Sequence, residues 1–292
     1  MRLALLGLGL IGGSVARAAH AAGWHVAAWT PSGAGPRAAL ERGAIDVAAG
    51  TFREAVRGSD LVVLAAPPTA CLALLETLGG PARDGLGPGA VVSDVASTKV
   101  LLAERAAVLG LRYVGGHPMA GRETSGFEAG SADLLRDRPW VVVPSDPVDE
   151  AAVARVEELA RVCGARPLRM AAAEHDAAVA AISHLPLVVA AALVEAVAGG
   201  PGEPVRPGWP AAAALAASGW AGATRLARGD PAMGAGIAAT NAGPLAGAVR
   251  AARERLDEWL LLLEAGPGGG PPDEAALRER LAAARDRLEG LG

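Results

Sequence analysis

The sequence predicts an α/β domain with a mainly parallel sheet, followed by a second domain built from helices alone. Two patterns support this fold class. Short apolar runs alternate with helical stretches from residue 1 to about residue 145, which is typical of strands joined by crossover helices. Beyond Ala172, nearly every segment has helical character. We therefore expect the domains to occupy residues 1–171 and 172–292.

The strands of the first domain are predicted from its apolar runs. They lie at 3–6, 26–29, 61–66, 90–93, 113–115 and 140–143, with a last short strand at 165–170. Ligands of such sheets bind beyond the carboxyl ends of the strands. The segments that follow three of these strands, 66–68, 94–99 and 116–121, should therefore line one crevice.

A glycine-rich turn joins the first strand to the first helix, with glycines at positions 7, 9 and 12. In a Rossmann-type doubly wound sheet this spacing allows a tight turn and a close approach of the backbone to a pyrophosphate. The helix N-terminus adds N–H groups that bind an anion. We expect a nicotinamide cofactor here, held by Gly7, Gly9, Leu10, Ile11 and Gly12.

The same segment has features of a secretory signal: Met1-Arg2, an apolar run and small residues from Ala16 to Ala22. Glycines would weaken an apolar signal core, and a second strand follows at the expected distance. Because cleavage would remove the glycine turn, the two interpretations exclude each other.

Composition limits the other classes of function. The 292 residues are 51% hydrophobic and 3% aromatic, and they carry a net charge of −4. This charge gives no basic surface for nucleic acid or an anionic membrane. Beyond the N-terminus we see no apolar stretch near the ~20 residues that span a bilayer, and we expect a cytoplasmic protein. Cys71 and Cys163 have no metal-type spacing, so we interpret both as buried structural thiols.

The choice between NAD and NADP depends on the end of the second strand, which reads Trp29-Thr30-Pro31-Ser32 with no acid before Glu41. NAD-binding sheets carry an acid in this region for the ribose hydroxyls. Its absence favours NADP, since Thr30, Ser32 and Arg37 could bind a 2′-phosphate. Arg37 could equally be a solvated surface charge, and NAD stays possible.

Polar residues that could carry chemistry follow two of the predicted strands. His117 lies in the segment 115–121, and its ordinary pKa near 6.5 suits proton transfer. Ser97 follows the preceding strand and could share a hydrogen-bond network with His117, although its stretch could also be an ordinary helix cap. Lys99 is the only lysine, which marks it weakly as a site residue, and with Ala66 and Pro67 we assign it to the cofactor.

Several motifs together resemble the prephenate and arogenate dehydrogenase family over residues 1 to about 240. The middle motifs are more specific than the glycines. The motifs are Gly7-x-Gly9-x-x-Gly12-Gly13-Ser14, Ala65-Ala66-Pro67-Pro68, Asp94-x-x-Ser97-x-Lys99, Gly116-His117-Pro118-Met119-Ala120-Gly121, Glu174-His175-Asp176 with Ser183-His184-Leu185-Pro186, and Thr224-Arg225-Leu226-Ala227 with Asp230-Pro231.

The resemblance implies a Rossmann domain with a helical dimerisation domain, and NAD(P)-dependent oxidative decarboxylation of a cyclohexadienol in tyrosine biosynthesis. His117 would accept the ring hydroxyl proton while hydride leaves the same carbon. Ser97 would orient that hydroxyl, and Arg225 would bind a substrate carboxylate. A surface ion pair is the alternative for Arg225. The long apolar helices of the second domain also favour a homodimer.

Two histidines of the second domain are nine residues apart, at 175 and 184. In one unbroken helix they would face opposite sides, so we expect His175 at the substrate and His184 packed at a dimer core.

Two positions depart from the family's pattern. Leu187 stands where many relatives have a second histidine, which favours arogenate or broad specificity over prephenate alone, and Gly234 replaces a bulky residue.

Two other functions remain open. A reductase of the β-hydroxyacid dehydrogenase type normally needs a lysine in its helical domain, and the single lysine lies outside that domain here. A dinucleotide-binding sensor without turnover is the alternative from another class.

Overall fold

The computed structural model describes residues 1–80, 82–121, 124, 126–264 and 272–290. The chain divides into two compact units, Met1–Ala242 and Gly243–Gly292. The first unit contains the sheets and the first group of helices, and the second contains most of a long helix and the C-terminal helix. The expected domain boundary at 171/172 stays a prediction.

A five-stranded parallel sheet forms the centre of the first unit. Its strand order is β3-β2-β1-β4-β5, so β1 lies in the middle. The predicted Rossmann-type doubly wound sheet is confirmed here, with one short strand that the sequence interpretation missed. The strands are β1 (Arg2–Leu6), β2 (His25–Trp29), β3 (Val47–Ala48), β4 (Leu61–Leu64) and β5 (Val91–Asp94).

Helices cover both faces of this sheet. Successive side chains of a strand point to opposite faces, and accordingly Leu3 and Leu5 belong to one buried cluster while Ala4 and Leu6 belong to another. A strand buried on both faces reads as a continuous apolar run, which explains the clear sequence signal for β1. The connecting helices are α1 (Leu10–Ala21), α2 (Ala34–Glu41), α3 (Phe52–Val56), α4 (Pro68–Gly79) and α5 (Val100–Val108).

A separate three-stranded sheet follows, and here the expected strand arrangement is wrong. β6 (Gly115–Pro118) runs antiparallel to β7 (Pro139–Val143), and β8 (Arg166–Arg169) is parallel to β7 after α6 (Glu150–Val162). Of the predicted strand at 113–115, only Gly115 lies in a strand, at the start of β6, and Tyr113 forms a single parallel bridge with Val92. The registers place His117 inside β6, opposite Val141, instead of after a strand end.

Beyond β8 the described chain is mainly helical, as predicted. A π-helical turn, Ala180–His184, lies between the first two of these helices, and a 3₁₀ turn, Arg225–Arg228, precedes α11. The helices are α7 (Ala172–Val179), α8 (Leu185–Ala198), α9 (Trp209–Ala214), α10 (Ser218–Ala223), α11 (Pro231–Thr240), α12 (Ala242–Glu264) and α13 (Glu274–Glu289).

Within the second unit, Arg280 of α13 joins this helix to α12. Its Nη2 atom lies 2.7 Å from Glu258 Oε2, and its guanidinium lies 4.9 Å from the centroid of the Trp259 ring. The loop break expected at 266–272, with its flexible linker, falls almost entirely outside the described residues.

The continuous helical run Ala172–Ala198 is 27 residues long and apolar enough, by length and composition, to cross a membrane. The expectation that no such stretch exists beyond the N-terminus is therefore wrong. However, its polar residues His175, Asp176 and His184 are buried, and Asp176 binds α5 of the sheet layer. Ile182 and Val189 of the same run are exposed, as a helix that packs on another protein surface would show.

Candidate functional site

The glycine turn has the geometry that a dinucleotide needs. Gly7 has a φ of +111°, and a Cβ there would lie 2.1 Å from the carbonyl oxygen of Ala65. A Cβ on Gly12 would lie 2.6 Å from the Gly7 oxygen, so the helix could not approach the strand. A Cβ on Gly9 would meet no atom within 4 Å, which leaves open space beside this stretch of backbone.

The helix that follows the turn, α1, begins at Leu10 without a side-chain cap. Its first N–H groups have no partner within the helix, and together with the helix dipole they form a site for an anion. The residues therefore fit the pyrophosphate of a nicotinamide dinucleotide.

A cleft of about 640 Å³ opens at this turn. It brings together predicted site residues from four places in the sequence. These are Gly7, Gly9, Leu10, Ile11 and Gly12 of the turn, Ala66 and Pro67 after β4, Ser97 after β5, and His117 in β6. Sequence interpretation missed the other side of the cleft, which Gly229, Asp230, Met233 and Ile237 form. The Asp230-Pro231 motif was the available signal for this side.

A smaller pocket of about 240 Å³ lies beyond the end of β2. Thr30, Ser32 and Arg37 line it, and Arg37 Nη2 donates to the Ser32 carbonyl at 3.2 Å. Among the described residues that line this pocket, none is acidic. The pocket therefore presents hydroxyl groups and a cation where NAD-binding sheets present a carboxylate.

His117 lies at the cleft with its Nδ1 atom 2.8 Å from Nε2 of His175. Because Nδ1 is occupied, Nε2 is the nitrogen that remains for a substrate. Burial lowers the pKa of His117 well below its ordinary value, and the charges of Lys99, His175 and His184 lower this pKa further. The imidazole is therefore neutral at physiological pH and able to accept a proton.

His175 does not lie at the substrate side as expected. Its side chain is 1% exposed, Nε2 contacts His117, and Nδ1 lies 2.8 Å from Oδ1 of Asp176. Both ring nitrogens of His175 are therefore engaged inside the protein, by His117 and by Asp176. Asp176 directly follows His175 in the sequence and was missed, although an acid beside a buried histidine is a recognisable signal.

Asp176 also binds a second element. Its Oδ1 accepts from the Lys99 N–H at 2.7 Å and its Oδ2 from the Val100 N–H at 2.9 Å. These N–H groups belong to the start of α5, where a carboxylate is favoured by the helix dipole. Asp176 therefore connects α7 to the segment that follows Ser97.

The Lys99 side chain is fully buried. Its Nζ atom pairs with Asp94, which also accepts from the Tyr113 hydroxyl, and donates to the Gly116 carbonyl at 2.8 Å. This placement favours a structural role for Lys99 over the cofactor contact that we expected. The sequence signal for its partner was an acid, Asp94, at the end of an apolar strand.

The prediction that His184 packs at a dimer core assumed one regular α-helix from His175 to His184. A π-helical turn that ends at His184 interrupts this helix and changes the angle between the two side chains. The Nδ1 atom of His184 lies 3.1 Å from Asn241 Nδ2, and the same amide nitrogen donates to the Asp176 carbonyl at 2.8 Å. Both histidines of the helical run therefore belong to one buried polar group.

Three further positions were singled out in the sequence, Arg225, Leu187 and Gly234. Arg225 is exposed at the start of a 3₁₀ turn, four residues before Gly229 of the cleft wall. The two departures from the family pattern lie against each other, since a Cβ on Gly234 would be 3.4 Å from Leu187 Cδ2.

In the part of the chain that the structure describes, no cluster of side chains could hold a metal ion.

Comparison with known families gives matches over most of the chain. Residues 15–168 match the family model described as "Prephenate dehydrogenase, nucleotide-binding domain". Residues 171–266 match "Prephenate dehydrogenase, dimerization domain". The chain belongs to the prephenate dehydrogenase family. The resemblance inferred from the motifs is thereby confirmed.

Relatives of known name agree with this family. Prephenate dehydrogenase of Bacillus subtilis is 34% identical over 88% of this chain and 66% of the relative. Cyclohexadienyl dehydrogenase of Zymomonas mobilis is 31% identical over 68% of this chain and 67% of the relative. The chain spans about two thirds of the length of these proteins.

Solved structures show the same fold. Arogenate dehydrogenase of Synechocystis has a TM-score of 0.79 and 30% identity, with 99% of this chain and 100% of that chain covered. Prephenate dehydrogenase of A. aeolicus, in complex with hydroxyphenyl propionate and NAD⁺, has a TM-score of 0.84 and 24% identity, with 100% and 98% covered. Because the A. aeolicus protein is only 24% identical to this chain, this comparison shows a shared fold and no more.

Proposed function

We propose that this member of the prephenate dehydrogenase family oxidises and decarboxylates prephenate or arogenate with a nicotinamide cofactor. The observation that carries the proposal is one shared cleft. It contains a glycine turn shaped for a dinucleotide and a neutral imidazole, His117, whose Nδ1 atom is bonded to His175 while Nε2 is left to act on a substrate. Base and cofactor must be adjacent if a proton and a hydride are to leave the same C–O–H group.

The chain's residues would act on the substrate hydroxyl. Ser97 and His117 line the cleft together, so Ser97 can orient the hydroxyl while His117 Nε2 takes its proton. When bound, the cofactor would supply the hydride acceptor. As the oxygen loses its proton, the hydroxyl-bearing carbon becomes a better hydride donor. Loss of the proton and the hydride leaves a carbonyl on the ring. When the ring carboxylate then leaves as carbon dioxide, its bonding electrons make the ring aromatic and pass to the carbonyl oxygen, which takes back a proton and becomes a phenol hydroxyl.

We assign the substrate carboxylate to Arg225. A guanidinium binds a carboxylate through two parallel hydrogen bonds, and the 3₁₀ turn of Arg225 leads directly into the cleft wall at Gly229 and Asp230. Arogenate is favoured over prephenate as the better substrate, because Leu187 offers no hydrogen bond to a keto acid.

NADP is proposed as the preferred cofactor. The pocket after β2 holds Arg37 with Thr30 and Ser32, and a charge-assisted bond to a 2′-phosphate contributes about 1.5–3 kcal/mol. We expect Arg37→Ala to raise the KM for NADP about tenfold or more, with little change for NAD. Arg57→Ala, an exposed arginine elsewhere in the first unit, is the control. Equal effects of Arg37→Ala on both cofactors would remove this assignment.

The remaining features of the proposal concern assembly and location. We propose a cytoplasmic homodimer, with residues 1–171 as the cofactor domain and 172–292 as the helical substrate and dimerisation domain. The exposed apolar residues Ile182 and Val189 on the helical run support burial against a second copy. Sedimentation analysis of the purified protein tests the dimer.

A single assay tests the activity. The purified chain is incubated with prephenate, arogenate or a β-hydroxyacid, each with NAD or NADP, while the absorbance of the reduced nicotinamide is followed. Turnover, fastest with arogenate and NADP, is the expected result. Turnover of β-hydroxyacids alone would favour the other reductase class. Cofactor binding without turnover in any pair would favour a sensor.

A further inference from the structure

Three side chains form a hydrogen-bonded chain behind the cleft: His117, His175 and Asp176. His117 Nδ1 lies 2.8 Å from His175 Nε2, and His175 Nδ1 lies 2.8 Å from Asp176 Oδ1. The two rings meet edge to face, with centroids 5.0 Å apart and planes at 78°. His175 and Asp176 are each 1% exposed, so water does not compete for these bonds.

The chemistry of the last member sets the direction of the bonds. A carboxylate only accepts hydrogen bonds, so His175 Nδ1 carries the hydrogen that faces Asp176. An imidazole that carries its one hydrogen on Nδ1 accepts through Nε2. The hydrogen between the two imidazoles therefore belongs to His117 Nδ1, and His117 Nε2 keeps its lone pair.

We propose that His175 and Asp176 are positioning residues that fix His117 in the tautomer with Nδ1 protonated, and that Asp176 holds the Ser97 segment in register with this base. The role of His117 as base rests on the proposed function. The tautomer of His117 can be measured without turnover.

The second part of the proposal follows from the other bonds of Asp176. Its two oxygens accept from the Lys99 and Val100 N–H groups at 2.7 and 2.9 Å, two and three residues after Ser97. One carboxylate thus fixes both the ring that takes the proton and the start of α5 beyond the serine. Asparagine cannot replace Asp176, because each carboxylate oxygen accepts from an N–H group, and the Nδ2 atom of asparagine is itself a donor.

The kinetic test compares matched variants. We expect Asp176→Asn to lower kcat about 100-fold, within the range of general base catalysis, and to change the KM for substrate less than about threefold. His175→Leu should lower kcat similarly. His175→Gln should recover activity to about tenfold below the unmodified enzyme, because its amide oxygen can accept from His117 Nδ1. Glu174→Gln, an exposed neighbour on α7, is the control and should be unchanged.

The spectroscopic test uses the unmodified protein, so it does not depend on whether variants of His175 or Asp176 fold. The full chain is labelled with ¹⁵N-histidine, and the His117 resonances are assigned as those absent from His117→Asn. We expect a protonated Nδ1 and an unprotonated Nε2 at neutral pH. A protonated Nε2 in the unmodified protein, or unchanged kcat in a folded Asp176→Asn variant, would overturn the proposal. If no substrate is turned over at all, the proposed function fails while the tautomer measurement still decides this inference.

Discussion

Lys99 Nζ donates a hydrogen bond of 2.8 Å to the carbonyl oxygen of Gly116, the residue directly before His117. On its other side the same ammonium pairs with Asp94, and neither side chain of the pair is exposed. The Asp94 carboxylate also accepts from the Tyr113 hydroxyl. The only lysine of the chain therefore holds the strand that carries the candidate base.

The first prediction concerns this ion pair. Lys99→Met removes one partner and leaves the Asp94 carboxylate buried without its cation, which costs about 3–5 kcal/mol in comparable cases. We expect the free energy of unfolding in urea to fall by that amount. Arg136→Met, which breaks an exposed pair with Asp133, is the control and should cost about 1 kcal/mol or less. Equal losses in the two variants would show that the buried pair does not support the fold.

The second prediction concerns pH. The protonated form of His117 cannot accept the substrate proton, so activity is lost as pH falls through its pKa. Because burial and the nearby Lys99 charge lower this pKa well below 6.5, kcat/KM, which reports the free enzyme, should hold its plateau through pH 6.5. A rate profile between pH 4.5 and 8 at constant ionic strength checks this. An acid limb centred at or above pH 6.5 would contradict it.

The third prediction concerns the thiols. Burial raises the pKa of both Cys71 and Cys163 to about 12, and Cys71 Sγ also donates to the Ala66 carbonyl at 3.2 Å. Only thiolates react readily with disulfide reagents. We expect neither thiol of the native protein to react with such a reagent at pH 8, and both to react after denaturation. Fast labelling of a folded sample would contradict the interpretation of these cysteines as structural.

The fourth prediction concerns the substrate carboxylate. Arg225→Ala should raise the KM for substrate about tenfold or more, because a carboxylate loses its charged partner. The KM for the cofactor should stay unchanged. Arg228→Ala is the matched control, since Arg228 is an exposed arginine of the same 3₁₀ turn. If the two variants behave alike, the assigned role of Arg225 is wrong.

Much of the fold could be predicted because its signals are local. Three signals come from residues that are neighbours in the sequence: the apolar run of β1, the glycines at 7, 9 and 12, and the helical pattern after Ala172. The parallel sheet follows from the alternation of apolar runs with helical stretches. The antiparallel pairing of β6 with β7 could not be predicted in this way. The segment before β6 is bonded to Asp94 through Tyr113, and Lys99 bonds both Asp94 and the Gly116 carbonyl; such tertiary contacts leave no periodic pattern in the sequence.

The candidate site also has a part that could be predicted from the sequence and a part that could not. Residues beside the glycine turn and at the strand ends meet in one cleft, because the topology alone brings them together. The partners of His117 depend on tertiary contacts. The π-helical turn between α7 and α8 alters the angular spacing assumed for the two histidines, and the Asp176 carboxylate binds an element 76 residues away in sequence.

The exchange His117→Asn tests the central claim most directly, because it removes the base and leaves the glycine turn intact. Turnover of arogenate or prephenate should fall by about 10²- to 10⁴-fold, while the Kd for NADP, measured by fluorescence titration, stays within a few-fold of the unmodified protein. Turnover close to that of the unmodified protein in this variant would contradict the assignment of His117 as the base.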